Sequence, residues 1–274
     1  MSKATPSQRD HFAHVPKAAA TVPKWVHYQP AIWLHRLHRH CVICQQTDTT
    51  AQKSQQGMIC QHCHEQIITP VPPVKIALTA THLTQPANSS SADFGHAIRH
   101  LRIYPISYYQ YPVNFLIKNF KDIEQIQSLL ALYALIGTLP KPEGCHVGNT
   151  VILPVPTTVS RIRHRGFNPV LILARYLAWH WQLPICQAVA RHDGTRHQRG
   201  LSRHERLDST QMDFYLCQQI KQRQVIIFDD VVTTGATLSA VAKLILSHYP
   251  SVRLLGVCVA HGTQDLSLTR ADNP

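Results

Sequence analysis

Thirteen consecutive residues constrain the fold more than any other part of the chain: Val225-Ile226-Ile227-Phe228-Asp229-Asp230-Val231-Val232-Thr233-Thr234-Gly235-Ala236-Thr237. Gln224 to Phe228 reads as a strand buried on both faces, because the run is continuously apolar and never alternates. Two acids follow side by side, then a short loop of Thr, Gly and Ala. A helix then begins, with Leu238, Val241, Ala242 and Ile245 on one stripe. A buried strand that passes through a glycine turn into an amphipathic helix is a unit of a parallel α/β sheet. In such sheets the ligand site lies beyond the carboxyl ends of the strands.

Flanking segments repeat the alternation. Val113–Phe120 and Glu124–Ile136 carry apolar residues at three- and four-residue spacing and predict helices. Thr150–Val155 predicts a short strand ended by Pro154 and Pro156. Asn168-Pro169 predicts a helix start, as N-cap and first-turn proline, with Val170, Leu173, Ala174, Leu177 and Ala178 on one face. Gln187–Ala190 and Val252–Val259 predict further strands. Trp33–Leu37 has the pattern of a short amphipathic helix. Residues 69–107 are rich in Pro, Thr, Ala and Ser and read as a linker or insertion.

The loop after the acids is suited to phosphate. Small residues allow successive backbone N–H groups to point at one anion, helped by the helix N-terminus and the hydroxyls of Thr233, Thr234 and Thr237, with Gly235 and Ala236 between them. Adjacent carboxylates at Asp229 and Asp230 suit the vicinal hydroxyls of a sugar and Mg²⁺, a hard, oxygen-seeking cation. The chain has neither GxxxxGKS/T nor GxGxxG, which removes two common nucleotide-binding motifs.

A second pattern lies nearer the N-terminus. Cys41-Val42-Ile43-Cys44 is separated by fifteen residues from Cys60-Gln61-His62-Cys63. Two residues between thiolates let a tight knuckle present both sulfurs to one ion, and the spacer has the length of a ribbon returning to the same tetrahedral Zn²⁺. Four thiolates leave no open coordination position, so a structural ion is expected. His38, His40, His62 and His64 crowd the same stretch. The remaining cysteines, Cys145, Cys186, Cys217 and Cys258, are scattered and read as small core residues.

The charge is unevenly placed. Lys+Arg number 27 against 15 Asp+Glu, for a net charge of +12. Residues 161–206 alone hold nine Arg (161, 163, 165, 175, 191, 196, 199, 203, 206) against Asp193 and Glu205, which is +7 of that total. Arginine forks recognise phosphate oxygens at two points. A pyrophosphate-binding wall, a solvated basic face and a groove for single-stranded nucleic acid, with Phe167, Tyr176, Trp179 and Trp181 nearby, all fit this composition. Met1–Lys24 has no apolar core flanked by a cleavage site, and the apolar run Leu129–Ile136 is far too short to span a bilayer. A cytoplasmic protein with no membrane span is expected.

The strand, the two acids and the Thr-Thr-Gly loop resemble the signature of type I phosphoribosyltransferases. Leu153-Pro154-Val155-Pro156, followed by Arg161, Arg163 and Arg165-Gly166-Phe167-Asn168, resembles the ComF family of late competence proteins. Arg196-His197-Gln198, Leu201 and Glu205-Arg206 are similar to a further segment of that family, as is a four-cysteine module ahead of the transferase domain. Pro169 and Asp208 stand where the family usually has Gln and Asn. The resemblance implies a parallel phosphoribosyltransferase-like sheet flanked by helices over residues 108–264, behind a four-cysteine, zinc-ribbon-like module over 31–68. A basic tail over 1–30 and a C-terminal tail over 265–274 complete the expected organisation.

The resemblance also implies 5-phosphoribosyl 1-diphosphate with Mg²⁺ as ligand. Asp229 and Asp230 would face the ribose hydroxyls, and Thr233, Thr234, Gly235, Ala236 and Thr237 would hold the 5-phosphate. Thr157, Thr158, Arg163, Arg165 and Arg196 would line the pyrophosphate. Partners implied are single-stranded DNA at the inner face of the membrane and other competence proteins. The alternative is an active phosphoribosyltransferase of nucleotide metabolism with no role in DNA handling.

Overall fold

The computed structural model describes residues 41, 43–44, 46, 59–67, 71–78, 99–193, 213–262 and 269–270. In chain order the elements are α1 (Gln61–Ile67), β1 (Val74–Leu78), β2 (Arg99–Tyr108), α2 (Val113–Ile123), α3 (Ile126–Ile136), β3 (Thr150–Pro154), α4 (Val159–Arg165) and α5 (Pro169–Trp181). They continue with β4 (Val189–Arg191), β5 (Phe214–Leu216), β6 (Gln224–Val232), α6 (Ala236–His248), β7 (Arg253–His261) and β8 (Thr269–Arg270).

Among the described residues, six strands form one sheet in the order β3-β6-β7-β2-β1-β8, and β4 and β5 form a separate two-stranded pair. β3, β6, β7 and β2 run parallel, whereas β1 is antiparallel to both β2 and β8. The α/β architecture expected from the sequence is the one observed. The sheet is covered on both faces. Helices α2, α3 and α5 share one apolar cluster with Ile226, Phe228 and Val257, and Cys41, Ile59, Cys63 and Ile67 join it. Helix α6 and the β4–β5 pair share the other with Val225, Ile227 and Cys258.

Local chemistry sets the boundaries. Asn168 caps α5, its Oδ1 accepting from Leu171 N at 3.1 Å, and Pro169 sits at the first turn where no N–H is needed. Helix α5 ends at Gln182 in the left-handed region, and α4 ends at Gly166 with φ +78°.

Two sequence expectations need correction. The stretch 69–107 contains β1 and nearly all of β2, so it supplies two strands of the main sheet and is not simply a linker. Its alternation is real, since Leu101 and Ile103 are fully buried, but Arg99, His100, Arg102 and Pro105 disguise it. Pro105 lies beyond the β1–β2 ladder, which ends at Ile103, and is paired with Cys258 of β7 on the other side. The stretch 265–274 likewise includes β8, which pairs with Val74 and Lys75 of β1. The proposed Trp33–Leu37 helix and the 1–30 tail lie outside the described residues.

Candidate functional site

Asp229 and Asp230 lie inside β6, close to its carboxyl end, and are 9% and 4% exposed. Strand geometry sends adjacent side chains to opposite faces. Asp229 pairs across the ladder with Cys258 of β7, and Asp230 leans toward α2, where Lys121 Nζ lies 2.6 Å from its Oδ2. The β6–β7 pairing keeps one register through the acids, from Asp229↔Cys258 to Val231↔Ala260.

Burial pushes the Asp229 carboxyl well above the ordinary range, and the neighbouring Asp230 charge pushes it further. The Asp230 N–H, which donates to Asp229 Oδ1 at 2.8 Å, and the Lys121 ammonium act in the opposite sense. Burial also raises the Cys258 thiol, with both carboxylates adding to the effect. Asp230 Oδ2 is buried and makes no hydrogen bond of good geometry. A carboxylate oxygen left in that condition, next to a second buried acid, suits a hard cation or a hydroxyl donor.

After β6 the chain turns sharply. Thr233 and Thr234 are exposed, and Gly235 is buried with φ +74° as the N-cap of α6. Ala236 N donates to Thr234 Oγ1 at 3.4 Å. A Cβ on Gly235 would run into the Ile76 side chain of β1, so this position needs glycine for both φ and space. Gly235→Ala should lower stability by about 1–3 kcal/mol through the left-handed backbone and the clash. An unchanged urea midpoint would refute that account. Thr237 lies in the first turn of α6, so the hydroxyls of Thr233, Thr234 and Thr237 collect around an N-terminus that attracts anions.

The second half of the site comes from β3, which is hydrogen-bonded alongside β6, with Val155 N donating to Phe228 O at 2.8 Å. Thr157 and Thr158 follow directly. Thr158 caps α4, its Oγ1 accepting from Arg161 N at 3.3 Å, and Asp193 Oδ1 accepts from Ser160 N at 3.2 Å. Arg161, Arg163 and Arg165 of α4 are exposed, and Arg165 Nη2 lies 4.0 Å from Asp122 Oδ1 of α2. The fold therefore brings the acids, the threonine loop, Thr157, Thr158 and the basic helix α4 to adjoining strand ends. Arg196, and with it Arg199, Arg203 and Arg206, lies outside the described residues.

Of the aromatics in that basic stretch, Phe167 and Trp181 are buried in the core and Trp181 Nε1 donates to Leu139 O at 3.0 Å. Their buried rings, that of Phe167 packed against Phe120, are not exposed for a base to stack on. Trp179 is 61% exposed, and Tyr176 stacks on Tyr133.

The four cysteines of the two CxxC pairs converge. All their Sγ atoms lie within 4.8 Å of one another, and Cys44 Sγ is 3.8 Å from Cys60 Sγ. A tetrahedron of ~2.3 Å Zn–S bonds has edges of about 3.8 Å, so the spacing fits such an ion. Ile43 N and Cys63 N each donate to a sulfur at 3.4 Å, on Cys41 and Cys60 respectively, as tight metal knuckles do. Burial and the crowding of other sulfurs push the Cys63 thiol up strongly. Burial also pushes Cys41 up, but backbone hydrogen bonds outweigh it and leave that thiol lowered. His62 and His64 do not belong to this group. The cluster could hold a metal ion, and it is attached to the sheet through Ser107 Oγ, which donates to Ile67 O at 3.2 Å.

Similarity to known proteins agrees with this geometry. The sequence pattern of the phosphoribosyl transferase domain family matches residues 156–270, which include the acids and the threonine loop. "Competence protein F" of Haemophilus influenzae is 32% identical over 148 residues, covering 51% of this chain and 64% of that protein. The chain is thus similar to a competence protein over about half of its own length. "DNA utilization protein YhgH" of Escherichia coli O157:H7 is 30% identical over 153 residues, covering 53% of this chain and 66% of that protein. In both cases the match spans just under two thirds of the relative's length. The solved Helicobacter pylori xanthine-guanine-hypoxanthine phosphoribosyltransferase aligns with this chain at a TM-score of 0.33 and 12% identity, over 53% of this chain and 80% of that one. That likeness is too loose to bear on function. Among the described residues, no helix is long and apolar enough to cross a membrane.

Sequence reasoning missed Lys121, Asp122 and Ile76. Each lies in a segment without a motif, and only the packing of α2 and β1 against the strand ends brings them to the site.

Proposed function

We propose that this protein is a member of the ComF family, that it binds 5-phosphoribosyl 1-diphosphate with Mg²⁺ across the carboxyl ends of β3 and β6, and that it serves DNA handling in natural competence. The observation that carries the reading is the pair of buried acids, with one carboxylate oxygen lacking a well-aimed donor, directly ahead of the Gly235 turn and α6. Asp229 and Asp230 would accept from the ribose hydroxyls. The Thr233–Thr237 loop would hold the 5-phosphate by backbone N–H groups and hydroxyls. Thr157, Thr158, Arg163, Arg165 and Arg196 would hold the pyrophosphate.

Mg²⁺ would neutralise charge on the diphosphate and polarise its oxygens. The arginines would add fixed positive charge where negative charge grows if pyrophosphate departs with the electron pair of the anomeric C–O bond. Isothermal titration of the full chain with the phosphosugar and Mg²⁺ should show one site per chain. A flat titration removes the reading.

The DNA half of the proposal rests on the names of the relatives and on the exposed Arg161, Arg163 and Arg165 of α4. Affinity for single-stranded DNA should fall with salt, with a log–log slope of about −0.7 per phosphate contacted. A salt-independent interaction would count against it. The four-cysteine cluster is assigned to structural Zn²⁺, and other competence proteins are the partners expected for the intact protein.

A further inference from the structure

The cation that faces the acidic pair belongs to a helix outside the strand–acid–glycine pattern. Lys121 lies in the last turn of α2, with Nζ 2.6 Å from Asp230 Oδ2, and it also favours the ionised form of Asp229. The pairing is held by charge rather than by aim, because Oδ2 makes no hydrogen bond of good geometry. The two partners differ in freedom: the Lys121 side chain is 24% exposed and that of Asp230 only 5%. A lysine stem of that kind can swing its head to water, whereas a carboxylate fixed in a central strand cannot follow. The next residue, Asp122, lies opposite Arg165 of α4, so the same turn of α2 also faces the pyrophosphate side.

Two adjacent buried carboxylates cannot both stay ionised without a nearby cation. In the free protein that cation is the Lys121 ammonium. A divalent ion drawn to Asp230 Oδ2 would occupy the same place, and two cations cannot share it at contact distance.

We propose that Lys121 is a built-in counter-cation of the acidic pair, which a divalent ion must displace from Asp230 before it can bind there. The idea rests on the functional reading above and adds an order of events to it. The metal does not load alone. It enters with the phosphosugar, whose phosphate oxygens give the displaced ammonium a new partner.

The test is Mn²⁺ binding to the full chain without phosphosugar, followed by electron paramagnetic resonance. Lys121→Met should bind Mn²⁺ about tenfold more tightly than wild type, since a competing charge at contact distance is gone. Lys121→Arg should behave as wild type, and Asp230→Asn identifies the signal from this site as opposed to the cysteine cluster. A structural role for Lys121 predicts the reverse, weaker binding in Lys121→Met. Unchanged or weaker Mn²⁺ binding by that variant overturns the proposal. If Lys121→Met loses its melting transition, Lys121→Gln keeps the stem and a polar head and carries the same expectation. Failures are distinguishable. Normal phosphosugar binding with no gain in Mn²⁺ affinity removes the counter-cation and leaves the functional reading. A gain in Mn²⁺ affinity without phosphosugar binding does the opposite.

Discussion

Asp229→Asn is expected to abolish phosphosugar binding while making the free protein more stable than wild type at neutral pH. The two effects share one cause. Asp229 is held in a site where burial and the Asp230 charge oppose ionisation, so its folded-state pKa lies well above the ordinary value of 3.8. For an acid shifted in that direction, the folded state holds the proton more tightly than the unfolded state. Stability is therefore fully present below pH 3.8 and declines as pH rises toward the raised folded pKa.

An asparagine never ionises and so loses this pH-dependent cost. It also loses the charge that would accept from two ribose hydroxyls, and charged hydrogen bonds contribute about 1.5–3 kcal/mol each, so affinity should drop by ~100-fold or more. Isothermal titration with the phosphosugar and Mg²⁺, together with thermal melts across a pH series without divalent ion, measures both. The wild-type melting temperature should fall with rising pH more steeply than that of the variant. Binding within about threefold of wild type would defeat the site assignment. A variant less stable than wild type at every pH would mean that Asp229 serves packing.

Removal of metal from the cysteine cluster is expected to have the other large effect. Helix α1 has seven residues, which is too short to persist in water without tertiary support. It is tied to the sheet by a small apolar patch of Cys41, Ile59, Cys63 and Ile67 and by the Ser107–Ile67 hydrogen bond. Zinc in isolated finger peptides contributes on the order of 10–16 kcal/mol, far more than such a patch supplies. A strong chelator, or Cys63→Ser, should therefore unfold the segment around α1 and expose Ile106 and Val113, which share its cluster.

The sheet should survive that loss, because Ile226, Phe228 and Val257 are packed mainly by α2, α3 and α5. The expected observations are about one zinc per chain by elemental analysis, then rapid proteolysis near residue 60 after chelation with a stable C-terminal fragment. Proteolysis unaffected by chelation would show that the cluster is not a metal site.

The strand β6, the glycine turn and α6 are readable from the sequence because each uses a local rule that tolerates few alternatives. A nonalternating apolar run must be buried on both faces, and Gly235 supplies the positive φ that starts the helix. The acids extend this legibility, although they belong to the strand itself and not to the loop that follows. The four cysteines are equally plain, since thiolate spacing carries its own geometry. β1 and β2 are not. Arg99, His100 and Arg102 fall between their apolar partners, and Pro105 mimics a loop, yet the strand is stabilised by pairing with β7 and β1 far away in sequence. β-strands depend on such distant partners more than helices do.

The site divides along the same line. Residue types at fixed short spacing specify a threonine–glycine loop, an acidic pair and a four-sulfur cluster, because the chemistry of each lies within one segment. The meeting of Lys121 with Asp230, of Asp122 with Arg165 and of Ile76 with Gly235 joins residues 43 to 159 positions apart. No local pattern encodes those pairs. They follow from which helix covers which strand end, which is settled by burial of the whole core and by sheet order.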